Sequence, residues 1–163
     1  MMRGARDFFV SQRRISRGRK ITAMSIEQNK AIARRLVDEV WQNASEAAMD
    51  ELLADNFVFN YPSPGASSDR EGYKRAIMEP ATSFSDIQFT TEDMVAEGDK
   101  VAVHWTGTAT HKREFFGVAP TGKRVTLGGI SIIQIVGGKI IREVGDINTL
   151  DVLQQIGAFP TSS

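Results

Sequence analysis

Val125-Thr-Leu-Gly-Gly-Ile-Ser-Ile-Ile-Gln-Ile-Val136, then Gly137-Gly138, then Lys139-Ile-Ile-Arg-Glu-Val-Gly-Asp-Ile-Asn148 is the stretch that decides the fold. Both arms are rich in β-branched residues, which suit pleated, half-buried backbone, and the glycine pair supplies the positive φ angles of a tight hairpin turn. Strict alternation along the second arm puts Ile140, Arg142, Val144, Asp146 and Asn148 on one face. It puts Ile141, Glu143, Gly145 and Ile147 on the other. A strand that sets Asp146 and Asn148 side by side just before a helix predicts a functional edge there, with the earlier chain enclosing that face.

Working back toward the N-terminus, Pro120-Thr121-Gly122 marks a turn and Phe115-Phe116 a loop. Val101–His111 reads as a strand with Val101, Val103, Trp105, Gly107 and Ala109 on one face and Ala102, His104, Thr106, Thr108 and Thr110 on the other. Glu97–Lys100 turns it from a strand over Asp86–Ala96. The earlier chain has helical spacing instead. Ser25 and Gln28 form a capping-box pattern before Ile32, Ala33, Leu36, Val37, Val40 and Trp41. Asn43 or Ser45 opens a second helix that carries Ala48, Met49, Leu52 and Leu53 inward and ends near Asn56. Phe57–Tyr61 is a short strand stopped by Pro62–Gly65, and Asp69–Met78 a third helix, with Tyr73 and Ile77 inside, ended by Pro80. A short helix over Leu150–Ile156 closes the chain before Gly157 and Pro160. Helices first and hairpin-joined strands after predict a segregated α+β domain, with a curved, mainly antiparallel sheet wrapped round a pocket.

The chain of 163 residues is long enough for one domain with a sizeable core. Its formal charge is zero, but residues 1–24 hold seven basic groups and one acid, Asp7. The other 139 residues keep 13 basic and 19 acidic groups, a net of −6. That balance argues against nucleic acid, whose phosphates need a basic patch. Residues 1–24 form a separate basic extension, open to reading as a disordered tail, a transit-like segment or chain upstream of an initiator at Met24; the domain is 25–163. No apolar run approaches the ~18–20 residues of a membrane span, and a cytoplasmic location is expected. The lack of cysteine removes thiolate chemistry, and two histidines are too few for a histidine-dominated metal centre, so no metal is expected.

Several segments in order resemble one family: Asn29-Lys-Ala-Ile-Ala-Arg-Arg-Leu36, Asp50-Glu-Leu-Leu-Ala-Asp-Asn-Phe57, Glu92-Asp-Met-Val-Ala-Glu-Gly-Asp-Lys-Val-Ala-Val103, Thr110-His111 with Glu114-Phe115, Pro120-Thr-Gly-Lys-Arg-Val125, Gly138-Lys-Ile140 and Leu153-Gln-Gln-Ile-Gly157. They look like the SnoaL-like polyketide cyclases (ester cyclases), over about residues 25–157. The resemblance implies the cone-shaped α+β roll of the nuclear transport factor 2-like superfamily, a homodimer, and a cofactor-free pocket for a small hydrophobic carbonyl compound. It also implies an aspartate near the end of the last strand as general acid/base, driving proton abstraction and intramolecular aldol closure. Related chains commonly read Trp, then Asp, then a further Asp before the last helix. Here Asn148, which cannot act as a base, stands at one of those acidic positions.

Asp146, two residues earlier, is therefore the expected base, against the bland reading of a strand-end carboxylate in a local turn. His111, at the position where the family carries histidine, is the second catalytic candidate. Asn60, Tyr61, Gln134, Trp105, His104 and Asn148 are substrate-binding candidates. For Gln134 a satisfied core amide is an equal alternative, for Asn148 a helix N-cap, and for Trp105 plain core packing. The competing function on the same scaffold is a non-catalytic dimeric binding module. An epoxide hydrolase ranks lower, because the Val101–Thr110 strand offers no acid or arginine to complete its trio with Arg142 and Asp146.

Overall fold

The computed structural model describes residues 24–60, 67–78 and 83–159. The expectations for residues 1–23, for Tyr61 and for the Pro62–Gly65 stop lie outside them. The chain runs α1 (Ile26–Arg35), a π-helical segment (Leu36–Trp41), α2 (Glu46–Leu52), β1 (Leu53–Asn60), β2 (Ser67–Asp69), α3 (Arg70–Met78), β3 (Phe84–Glu97), β4 (Lys100–His111), β5 (Arg124–Val136), β6 (Lys139–Ile147) and α4 (Thr149–Ile156). Six strands form one curved, unclosed sheet in the order β2-β1-β6-β5-β4-β3. Every neighbouring pair is antiparallel except β1 with β6, which is parallel. This is the expected cone-like α+β roll.

The helices begin where their caps dictate. Ser25 Oγ accepts from the Gln28 backbone N–H at 3.2 Å, and Gln28 Oε1 accepts from the Ser25 N–H at 2.9 Å, a complete capping box. Of the two openings expected for α2, Ser45 is the cap, accepting from Ala48 N–H. Asp69 Oδ1 accepts from Gly72 N–H at 2.8 Å and starts α3 one residue later than the spacing predicts.

The short strand β2 is absent from the sequence reading, and the second helix and the end of the first differ from it. The second helix stops at Leu52, because Leu53 takes an extended backbone (φ −83°, ψ 136°) and pairs with Ile140. The strand expected from Phe57 thus begins at Leu53, where sheet pairing outweighs the helical spacing of the apolar residues. The first helix also passes into π-helical bonding over its last turn, with Gln42 N–H reaching Val37 O at 2.9 Å. Such inserts recur at functional sites because they re-aim the side chains that follow. Here the segment ends on Trp41.

The core lies between the concave face of the sheet and the helices. α1 packs on β3 and β4, α3 on β1, and α4 on β5. Val101, Val103, Trp105, Ala109 and His111 of β4 are buried, whereas His104 between them is exposed, so the Val101/Trp105 face points inward. Gly137 and Gly138 both have positive φ (59° and 82°), as the two-residue turn requires.

Candidate active site

Alternation on β6 is broken near its start. Ile140 pairs with Ile135 and Arg142 with Gln134, so β6 spends two steps where β5 spends one. Ile141 is the extra residue of a β-bulge. Ile140 is fully buried and Glu143, three residues on, is only 2 % exposed. From the bulge onward it is the Glu143, Gly145 face of β6 that looks into the cone.

Glu143 lies beside Phe59 of β1 and Ile133 of β5, the latter in turn opposite Val101. A carboxyl there has lost nearly all contact with water, and burial pushes its pKa up to about 7 against the opposing pull of Tyr73 and Ser131. The Tyr73 hydroxyl donates to Glu143 Oε2 at 2.9 Å. Trp41 Nε1–H donates to the Tyr73 oxygen, also at 2.9 Å. Tyr73 is itself held between Phe57 and Phe59, at ring separations of 5.1 and 5.4 Å. Two hydrogen bonds in series thus link the π-helical turn to α3 and α3 to the β6 carboxyl.

An aromatic wall continues from Trp41. Its ring lies 6.0 Å from Trp105 and 5.8 Å from Phe89, with Phe89 and Trp105 5.5 Å apart. The Trp105 indole packs close over residue 129 of β5, its cross-strand partner, because that residue is glycine. A Cβ there would stand 2.6 Å from the indole and 2.0 Å from the Asp146 carbonyl oxygen. The Trp105 Nε1–H is buried and has no hydrogen-bond partner among the described residues, a state that ordinarily costs free energy.

The other residues singled out in the sequence lie elsewhere. Asp146 is exposed on the outer face, opposite Ile130, and its Oδ1 accepts from the next residue's N–H, Ile147, at 2.8 Å. Asn60 Oδ1 accepts from Arg142 Nε at 2.9 Å. Gln134 Nε2 donates to Asp99 Oδ2 at 2.8 Å, tying β5 to the β3–β4 turn and holding the Asp99 carboxyl below its ordinary range. His104 is exposed, paired with Asp93 across the strands. Asn148 stands at the N-cap position of α4, but its side chain accepts from Gly128 N–H and donates to the Asp151 carboxylate rather than capping a backbone N–H of the helix. It lines an open groove of about 410 Å³ with Thr126, Asp151, Gln154 and Gln155.

His111 is buried, but at the far end of β4. Ten residues separate it from Val101, about 33 Å of extended strand, so it does not share a site with Glu143. Its Nδ1 accepts from Thr121 N–H at 3.3 Å and lies 3.1 Å from Thr121 Oγ1, which fastens the loop before β5. Glu143 is not among the residues singled out in the sequence, although one signal pointed to it: a single acid among Ile141, Gly145 and Ile147 on one strand face.

Among the described residues no three His, Asp or Glu side chains converge as a metal site, and no helix is long and apolar enough to cross a membrane.

The solved structures that resemble this chain come from several bacteria. AclR of Streptomyces galilaeus, a candidate hydroxylase, is 26 % identical over 85 % of this chain and 91 % of its own, with a TM-score of 0.72. A candidate polyketide cyclase from Acidithiobacillus ferrooxidans is 29 % identical over 82 % and 97 %, TM-score 0.68. IdmH of Streptomyces antibioticus, a candidate polyketide cyclase, is 26 % identical over 80 % and 99 %, TM-score 0.66. No curated protein matches the chain at a significant level. The sequence profile of the SnoaL-like polyketide cyclases matches residues 31–156. With that match across nearly all of the helices and sheet described above, the chain belongs to the SnoaL-like polyketide cyclase family.

Proposed function

We propose that this protein binds a small hydrophobic carbonyl compound between the sheet and the helices and removes its α-proton, with Glu143 as the base. The observation that carries this reading is the buried Glu143 carboxyl, held by Tyr73 and set beside the aromatic wall of Trp41, Phe89 and Trp105. A base whose pKa is near 7 combines basic strength with an appreciable unprotonated fraction at neutral pH. The electron pair of the broken C–H bond passes into the adjacent carbonyl as an enolate. The enolate carbon then attacks a second carbonyl of the same molecule, and the resulting alkoxide takes the proton back from Glu143. Trp105 Nε1–H, a buried donor with no partner among the described residues, suits the carbonyl oxygen on which charge develops. The chemistry needs no cofactor.

We also propose a homodimer formed through the outer face of the sheet. Val95 (59 % exposed), Ile130 (55 %), Ile132 (46 %) and Val58 (37 %) place large apolar side chains in water there.

The test is solvent-deuterium exchange at the α-carbon of aryl 1,3-diketones, followed by NMR. The parent is expected to accelerate exchange, Glu143→Gln to lose the acceleration, and Asp146→Asn to keep it. A Glu143→Gln variant that exchanges as fast as the parent would overturn the assignment. Saturable binding of the diketone without exchange would favour the binding module.

A further inference from the structure

The hydrogen bonds around Tyr73 have a direction. An indole nitrogen carries a proton and no available lone pair, so Trp41 Nε1 can only donate. The Tyr73 oxygen therefore accepts at 2.9 Å, and its own proton is directed onward to Glu143 Oε2, also at 2.9 Å. Phe57 and Phe59 pack against the Tyr73 ring and keep the hydroxyl in place. The two oxygens of Glu143 are thus unequal toward Tyr73: Oε2 receives its hydroxyl, while the Ser131 hydroxyl adds a second, weaker pull on the carboxyl.

We infer that Tyr73, aligned by Trp41, is a positioning residue that keeps Oε2 of Glu143 as a standing acceptor, so that the carboxyl takes up and releases its proton at Oε1. This rests on the reading of Glu143 as the base, and it adds which of its atoms reacts. The substrate carbon must approach Oε1. The proton that arrives there cannot drift into the Tyr73–Trp41 chain, because both links of that chain point toward the carboxyl. It is retained for return to the same substrate. The π-helical turn acquires a purpose in the same way, since it ends on Trp41 and sets the direction of the whole relay.

Difference infrared spectroscopy of the full chain through a pH titration tests this without a substrate. An acid C=O band that disappears in Glu143→Gln belongs to this carboxyl. With the proton on Oε1, Oε2 is the carbonyl oxygen and carries the Tyr73 hydrogen bond. The band is expected at low frequency in the parent and at a clearly higher frequency in Tyr73→Phe, where Ser131 alone still pulls on the carboxyl. Its titration midpoint moves to higher pH in that variant, because the charged form has lost a donor. In Trp41→Phe the hydroxyl remains but its direction is released, and the band divides between two positions. An unshifted C=O band in Tyr73→Phe would mean that the acid proton had been pointing at Tyr73 from Oε2, and would overturn the inference. If Tyr73→Phe does not fold, a single unmoved band in Trp41→Phe overturns it equally. Deuterium exchange then separates the two readings: a rate profile that follows the infrared midpoint supports both. A profile indifferent to it removes Glu143 as base and leaves the positioning intact.

Discussion

Ile140 and Glu143 are three residues apart on β6, yet both point into the core, because Ile141 is the extra residue of a bulge between them. In a regular strand they would face opposite ways. The bulge is what brings a carboxyl into the cone, and it does so six residues before the last helix begins at Thr149.

The buried acid makes stability fall as pH rises. Glu143 has a pKa of about 7 when folded against 4.5 when free, so the folded chain holds a proton that the unfolded chain releases in between. The sign follows: its contribution is fully present below about 4.5 and is lost as pH rises through 7. The loss is on the order of 3 kcal/mol for a shift of this size. Urea midpoints at pH 5 and pH 8 should show it, and Glu143→Gln should flatten the difference and be more stable than the parent at pH 8.

Gly129→Ala places a methyl group 2.0 Å from the Asp146 carbonyl oxygen and 2.6 Å from the Trp105 indole. Backbone on one side and a wedged ring on the other leave little room to yield. Overpacking of this kind costs typically 1–3 kcal/mol. A lower urea midpoint with altered Trp105 fluorescence is the expected pair of results.

Asp146→Ala removes only a bond from the residue's own neighbour. The urea midpoint and the diketone exchange rate are both expected to match the parent. A drop in exchange rate at unchanged stability would restore Asp146 to the chemistry.

The outer face of the sheet predicts association. Ile132→Glu and Ile130→Glu place charge in the middle of the apolar patch. Sedimentation velocity is expected to give a dimer for the parent and a monomer for the double variant, with both retaining the far-ultraviolet signature of the fold. A parent that sediments as a monomer at every concentration would dispose of the dimer.

Most of the architecture was legible from short-range chemistry. Ser25 and Gln28 announced α1, Gly137-Gly138 announced the β5–β6 hairpin, and the alternation of Val101 to His111 announced β4; each is a local preference that tertiary contacts reinforced. What could not be read was the pairing of distant residues. Leu53 left its helix because Ile140 was available as a partner in the sheet, and helical spacing carries no record of that. Asn60 and Gln134 found Arg142 and Asp99, partners 82 and 35 residues away.

The sequence by itself determined the order of elements, the α+β class and the family likeness, because these rest on local periodicity and on many matching short segments. Only the tertiary structure decided which acid enters the cone. One extra residue in β6 exchanges its two faces, and the period of two then carries Asp146 out to water and Glu143 in beside Tyr73. A bulge arises from how β6 registers against β5, so it belongs to the pairing of two strands and is written in neither strand alone.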